Sequence, residues 1–544
     1  MKWFPLCNYT HYSLQKAFTK PKELAKKCSE NSYRACGIAD HHSISGAVAF
    51  YQQCIENDVK PIIGCSFDGL LHPENGLALF AKNKEGWLEL IRIVSSFDKD
   101  DVVDRVLLVQ LCLKGNLICV AKNEALSPIR GDDFYQKTDA FPDTYYAEKK
   151  HAVLHRVLLR SDSKVSLESI SKFMECNDFY LKDRQEAAKM LVDDPKMDVF
   201  DDIFNKVGNY DILNRPMLPA FPCPDGFDER GYLEDLCKRG WRELVANGEI
   251  TVENEVEYQE RYIREFKVLT EANLSGYFLI VWDILNFCRE QGWMVGPGRG
   301  SAAGCLVSYL VGITLIDPIK YDLLFERFYN AGRNTADRVS LPDIDLDVPS
   351  GKRDEIIAQL KVKYGAENVS QMCTFGRLQG RSAIKEVLRV NKVCGFGEMN
   401  EITRYIPDEA VISDELAQMD EEDRSIIRWA LLNNADDLRD YCHIDDEGTL
   451  QGDYAEYFQQ AIDIEGTFKS RGKHAAGVVI SASPLAEVCP MVHQKHDTEK
   501  MAGLEMDDLE ALGHVKFDVL AVRLLDKLMY IDEILEEDGW DVRL

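Results

Sequence analysis

Within this 544-residue chain, the run Pro342-Asp343-Ile344-Asp345-Leu346-Asp347-Val348 most narrows what the polypeptide can fold into. Acidic and aliphatic residues alternate with a period of two, which is the period of a β-strand and not of a helix. On a strand, three carboxylates share one face while Ile344, Leu346 and Val348 share the other and need a core beneath them. Like charges crowded on one face destabilise a strand unless a cation neutralises them. Oxygen ligands at this spacing suit Mg²⁺, which is usually shared between a few carboxylates and substrate phosphates. A solvated acidic edge strand has the same pattern and stands as the alternative.

A second feature is Gly296-Pro297-Gly298-Arg299-Gly300-Ser301-Ala302-Ala303-Gly304, running into the apolar stretch Cys305 to Val311. Glycines let a backbone approach an anion closely, and a following helix N-terminus offers unpaired N–H groups to phosphate. The pattern is neither a Walker loop nor a dinucleotide fingerprint, and a structural tight turn is the competing reading. A third feature is the alternating strand Val515-Lys516-Phe517-Asp518-Val519-Leu520, with Lys516 and Asp518 on one face. Facing the acidic cluster, these two would add a metal ligand and a cation for phosphate oxygens.

The chain has 64 basic and 92 acidic side chains, a net charge of −28, which sits poorly with nucleic acid unless the charge is segregated. It is segregated. Residues 391–470 hold 6 basic and 20 acidic side chains, whereas residues 351–390 hold 8 basic and 4 acidic. The 16 cysteines are scattered with no CxxC pair, so a zinc site is not expected and reduced thiols in a cytoplasmic compartment are. The N-terminus carries no signal-peptide pattern, and the most apolar run, Gly304 to Ile316, is shorter than the roughly 18–20 residues of a membrane span.

Short strand-like runs, Arg34 to Asp40 and Val59 to Cys65, flank a helical period from Ser45 to Glu56 and predict an α/β unit over 1–205. A Pro-rich stretch from Asn214 to Pro224 reads as a linker, followed by charged helix from Asp228 to Ala272 and an apolar stretch from Tyr277 to Cys288. The chemical core is expected over 289–390, an acidic helical insertion over 391–467, and returning strands from 468 to the end followed by a helix from Arg523 to Glu537.

These motifs, in this order, resemble the N-terminal half of the bacterial-type family C replicative DNA polymerases, the polymerase III alpha-subunit family. The matching stretches are the glycine-rich loop, Leu324-Phe325-Glu326-Arg327-Phe328, Pro342 to Asp347, Thr374-Phe375-Gly376, Gly472-Lys473-His474-Ala475-Ala476-Gly477 and Val515-Lys516-Phe517-Asp518. The resemblance implies a multidomain α/β fold. A degenerate polymerase-and-histidinol-phosphatase (PHP) domain over 1–205 is followed by a linker and helical lead-in over 206–288. A palm of the beta-type nucleotidyltransferase kind follows in two parts, 289–395 and 468–544, interrupted by a helical thumb over 396–467.

Carried over to this sequence, the resemblance implies that Asp343, Asp345 and Asp518 hold two Mg²⁺ ions and are catalytic. Arg299, Gly300, Ser301, Arg327, Arg338 and Lys516 would bind the triphosphate. Arg377, Arg381, Arg471, Lys473 and His474 would contact template-primer DNA. Asp347 repeats the acidic spacing but matches no catalytic position. The expected activity is DNA-directed DNA polymerase, transferring dNMP to a primer 3′-hydroxyl with release of pyrophosphate. Where metal-binding PHP domains carry their opening histidines, this chain has Pro5, Cys7 and Tyr9, and only Asp40 and His41 remain, so a metal-free scaffold is expected. The family continues beyond the third aspartate into fingers and a clamp-binding segment. A split polymerase, with a C-terminal fragment carrying fingers and meeting a sliding clamp, is therefore expected in a bacterial cell or virus-infected bacterial host. A non-catalytic remnant that binds DNA or polymerase partners is the alternative, and a metal-dependent phosphoesterase is less favoured.

Overall fold

The computed structural model describes residues 2–67, 76–122, 128–129, 131–161, 176–190, 198–330, 332, 341–420, 423–494 and 497–537. Its strands are β1 (Ala35–His41), β2 (Lys60–Phe67), β3 (Leu77–Ala81), β4 (Leu117–Ala121), β5 (Phe134–Gln136), β6 (Asp345–Pro349), β7 (Val369–Arg377), β8 (His443–Ile444), β9 (Leu450–Gln451), β10 (Phe468–Ile480), β11 (Met491–His493), β12 (Lys500–Ala502) and β13 (Val515–Val522). They form a five-stranded sheet ordered β1-β2-β3-β4-β5, a six-stranded sheet ordered β11-β12-β7-β10-β13-β6, and a ribbon of β8 and β9. Two compact units result. One comprises Met1–Ile212, Thr374–Gly472 and Gln494–Asp497; the other comprises Leu213–Cys373, Lys473–His493 and Thr498–Leu544.

In the first unit, β1 and β2 are parallel and linked by helix Ala47–Glu56, which buries Val48, Phe50 and Cys54. On its other side β2 pairs antiparallel with β3, and Gly64 permits that close pairing, since a Cβ on it would lie 2.3 Å from the Phe80 ring. The acidic insertion belongs to this unit. Its helices Gly380–Asn391, Phe396–Arg404, Ile426–Asn433 and Ala455–Ile464 bury Val387, Ile402, Ile427 and Phe458 in one core with Phe18, Tyr146 and Leu158. Each helix thus hides an apolar stripe, and Glu401, Glu456 and Asp463 stay exposed, whereas Glu386 is buried and paired with Arg389 and Lys469. The thumb boundary that the resemblance implies at 396 falls inside this structure: helix Gly380–Asn391 packs with the insertion, and this segment of the unit begins at Thr374.

The second unit is assembled from chain on both sides of that insertion. Helices Glu229–Ala246, Glu255–Glu271 and Ser275–Glu290 share a core with Leu346, Val348, Val478 and Phe517 of the six-stranded sheet. Most of the expected linker and lead-in is therefore part of the sheet's own unit. The Pro-rich stretch is pinned to it by hydrogen bonds from Asn214 N–H to Ala511 O and Met217 N–H to Gly513 O, at 3.0 and 2.8 Å. No single helix among the described residues is long and apolar enough to cross a membrane. The bent pair Glu255–Glu271 and Ser275–Glu290 passes by composition, and Phe278 to Val281 of that pair are fully buried in the core.

Candidate active site

β6 carries Asp345 and Asp347, and Asp343 precedes it in irregular chain that keeps the same alternation. Ile344, Leu346 and Val348 are buried, so packing beneath the sheet forces the carboxylates to the opposite face. β13 alternates likewise: Val515, Phe517 and Val519 are buried, and Lys516 and Asp518 emerge with the acids. The two strands run parallel with Asp518 opposite Asp345 and Leu520 opposite Asp347. On its other side β13 meets β10, where Gly477 lies opposite Asp518. A Cβ at Gly477 would displace the buried Met372 side chain, whose Sδ lies 2.1 Å from where that Cβ would stand.

This register brings oxygens of Asp343, Asp345 and Asp518 within 4.8 Å of one another, a cluster able to hold a metal ion. The Asp343 side chain is 63% exposed and that of Asp518 11%. Burial, with the nearby charges of Asp343, Asp518 and Asp347, raises the Asp345 carboxyl above its ordinary value against the opposing Arg299. Lys516 donates to Asp518 Oδ2 at 2.7 Å and reaches Asp343 Oδ1 at 3.4 Å. Burial opposes the Lys516 charge, but the Asp518 bond and the charges of Asp518 and Asp343 raise its pKa overall. Asp518 Oδ1 is buried and has no hydrogen-bond donor among the described residues. An unsatisfied buried carboxylate oxygen costs free energy unless something positive meets it, which fits the cluster to a divalent cation.

The glycine-rich loop lies alongside. Gly298 and Gly300 have φ of +91° and +65°, which favour glycine. A Cβ on Gly298 would meet Thr314 Cγ2 at 2.7 Å, and one on Gly296 would meet Asp347 Cβ at 2.6 Å. Arg299 reaches Asp345 Oδ1 at 3.5 Å and Asp347 Oδ1 at 3.2 Å. Gly300 and Ser301 are exposed at the start of a tight 3₁₀ turn, Gly300–Gly304.

The helix that follows is not the anion site its sequence suggests. It spans only Leu306–Leu310, and Glu265 takes its N-terminus by accepting from Leu306 N–H at 2.6 Å and Val307 N–H at 3.3 Å. Glu265 is fully buried and paired with Arg261, which also donates to Gly304 O and Leu323 O at 2.8 Å each. This pair buttresses the loop, yet in sequence it looks like any i,i+4 ion pair on a charged helix. Arg353 was likewise hidden: it is buried and donates to Val519 O and Ala476 O, tying β13 to β10 beneath the cluster.

Among the other sequence candidates, Arg327 is exposed on the short helix Phe325–Phe328, which packs against the Gly300–Gly304 turn. Arg338 lies outside the described residues. The five candidates for DNA contact are divided between the units: Arg377, Arg381 and Arg471 fall in the first, Lys473 and His474 in the second. Arg377 lies over the Phe468 ring at 5.2 Å, Arg381 pairs with Asp408 at 3.1 Å, and Arg471 reaches Asp101 at 3.9 Å. Lys473 pairs with Glu499 at 3.1 Å. His474 Nδ1 accepts from Gly477 N–H at 2.8 Å, leaving Nε2 as the donor.

In the N-terminal sheet, Asp40 has no such openness. It accepts from Thr10 N–H, Thr10 Oγ1 and Ser13 Oγ, each at 2.6 Å, and burial pushes its carboxyl up to about 6. Cys7 is buried with its thiol pushed up to about 12 by burial, and Tyr9 donates to Asp143 at 3.1 Å.

Comparison with known proteins places these sites in context. The family described as Bacterial DNA polymerase III alpha NTPase domain matches residues 231–521, and the PHP domain family matches residues 6–181. DNA polymerase III subunit alpha of Borreliella burgdorferi is 29% identical over 98% of this chain and 50% of its own length. That of Bacillus subtilis is 29% identical over 99% of this chain and 50% of its length. The chain thus spans about half the length of the curated relatives it matches. A solved putative metal-dependent phosphoesterase from Bifidobacterium adolescentis aligns over 42% of this chain at 12% identity with a TM-score of 0.15, too low to carry an argument. With the acidic strands, the glycine loop and the N-terminal sheet each inside a matched region, the chain belongs to the bacterial DNA polymerase III alpha family.

Proposed function

We propose that this chain is the palm-bearing portion of a DNA-directed DNA polymerase, adding dNMP from a deoxynucleoside triphosphate to a primer 3′-hydroxyl and releasing pyrophosphate during replication. The observation that carries this is the convergence of Asp343, Asp345 and Asp518 from two parallel strands within 4.8 Å, beside a glycine-rich loop. Their all-oxygen donor set suits two Mg²⁺ ions, which when bound would favour deprotonation of the primer hydroxyl and neutralise the leaving pyrophosphate. Exposed Gly300 and Ser301 present backbone to the triphosphate without side-chain obstruction, Lys516 and Arg299 place positive charge beside the carboxylates, and Arg327 and Arg338 are further phosphate partners.

Template-primer DNA would be contacted through Arg377, Arg381, Arg471, Lys473 and His474, giving affinity that falls with salt. A segment carrying fingers, continuous with this chain or separate from it, closes over the base pair, and a sliding clamp is met through that segment. The PHP-like domain acts as a scaffold without a metal, a role supported by the saturation of Asp40 and by Cys7 and Tyr9 at ligand positions. The enzyme works in the cytoplasm of a bacterium or of a virus-infected bacterial host.

Primer extension tests this, using Mg²⁺, the four dNTPs and the chain with and without a fingers-bearing half. The expected result is incorporation by wild type that disappears in Asp343→Ala. Equal incorporation by both removes the proposal. No incorporation by either, with the second half present, favours a non-catalytic DNA-binding remnant, which the 20 acidic side chains of 391–470 would suit as a protein-contact surface.

A further inference from the structure

Asp347 has the spacing of a third ligand on its strand but stands outside the carboxylate cluster. It is instead attached to the glycine-rich loop at two points. Its side-chain Oδ1 accepts from Arg299 Nε at 3.2 Å, and its backbone carbonyl accepts from Gly296 N–H at 3.0 Å. The approach is close enough that a Cβ on Gly296 would lie 2.6 Å from Asp347 Cβ, so only glycine fits. At the far side of the loop, Pro297 O accepts from Leu315 N–H at 2.7 Å. Arg299 is half exposed and its other reach is to Asp345, one of the three cluster carboxylates. The loop is therefore tied to the strand that carries Asp345 through a residue two positions along that strand.

We propose that Asp347 is a positioning residue: it sets the glycine-rich loop and the Arg299 guanidinium in register with Asp345, and thereby sets how a nucleoside triphosphate is received. Its carboxylate holds Arg299 through Nε while Nη2 rests 3.5 Å from Asp345 Oδ1, so the guanidinium stands beside the cluster with Nη1 directed to phosphate oxygens in the proposed complex. Without that hold Arg299 is left to the cluster carboxylates alone, and the loop keeps only its backbone tie from Gly296 N–H to Asp347 O. The inference rests on the proposed polymerase reading for its triphosphate, but the tie between Asp347 and the loop is independent of it.

The test is Asp347→Asn, which keeps shape and removes charge, alone and in an Arg299→Gln background. Hydrogen exchange of the 298–303 amides, measured without nucleotide, is expected to quicken roughly tenfold in Asp347→Asn with the melting temperature unchanged. The KM for dNTP is expected to rise roughly tenfold while kcat changes less than about threefold. In the Arg299→Gln background, adding Asp347→Asn is expected to change KM by less than about twofold, because the two act as one unit. Unchanged loop exchange overturns the inference, and so does a tenfold KM effect that persists without Arg299. A wild-type chain that incorporates nothing with its complementing half removes the polymerase reading, while the exchange measurement still decides whether Asp347 holds the loop.

Discussion

Asp40 on β1, in the region matched to the PHP family, and Asp518 on β13, in the region matched to the polymerase III alpha family, are both largely buried strand carboxylates, yet their surroundings are opposite. Asp40 receives three donors from Thr10 and Ser13, all from its own unit. Asp518 receives Lys516 on one oxygen, has none on the other, and faces Asp343 and Asp345. A carboxylate whose lone pairs are filled by hydroxyl and amide donors serves the fold, because a cation would have to displace those bonds. One left with an orphan oxygen among like charges is destabilised until something positive arrives. The difference lies in hydrogen-bond satisfaction, not in residue type or strand placement.

The comparison breaks most visibly if Asp518→Asn retains activity. Loss of incorporation by about 10³-fold or more is expected with folding intact, read by primer extension beside circular dichroism. Next in size, Asp40→Ala should lower unfolding stability by about 3 kcal/mol, since it strands buried Thr10 and Ser13 donors. Denaturant titration checks this, and Mg²⁺ affinity should stay as in wild type. Third, Mg²⁺ at about 100 times its Kd should stabilise wild type by about 2.7 kcal/mol and Asp518→Asn hardly at all, with Asp40→Ala responding like wild type. Thermal melts with and without the ion separate these cases.

The smallest effect comes from Glu465 of the insertion, which sharpens the rule. Among the described residues its Oε1 is also buried without a donor and no cluster of carboxylates includes it, while Ser425 holds Oε2 and the Ile426 and Ile427 N–H groups and Lys20 favour its charge. Burial pushes its carboxyl up to about 7. With the folded pKa above the unfolded one, the proton is held more tightly in the native state. The associated stability is complete below about pH 4.5 and is lost as pH rises towards 7. Glu465→Gln should therefore stabilise the protein by about 2 kcal/mol at pH 8 and by little at pH 4, measured by denaturant titration at both. An equal effect at both pH values would show that the orphan oxygen is not what matters there.

Much of this is legible in the sequence. The alternation at 343–348 and 515–520 places the acids and Lys516 on one side of their strands, and the final helix is read from its period at the residues where it forms, Arg523–Glu537. Glu265 was not legible, since a glutamate four residues after an arginine looks solvent-exposed until tertiary packing buries it against Leu306 and Val307 N–H. The same packing made the sequence's anion-binding helix a short, occupied one. The insertion's boundary was obscured because net charge changes near 391 while the apolar stripe of its first helix begins at Gly380.

The sequence by itself determined which faces of β6 and β13 are acidic, because side-chain direction on a strand follows from a local period of two. Only the tertiary structure decided that those faces meet, with Asp518 paired to Asp345 across an intervening helical insertion, and that Asp40 does not take part in anything similar. Strand order, register and the filling of each lone pair depend on what the whole core buries, and no stretch of chain carries that information alone.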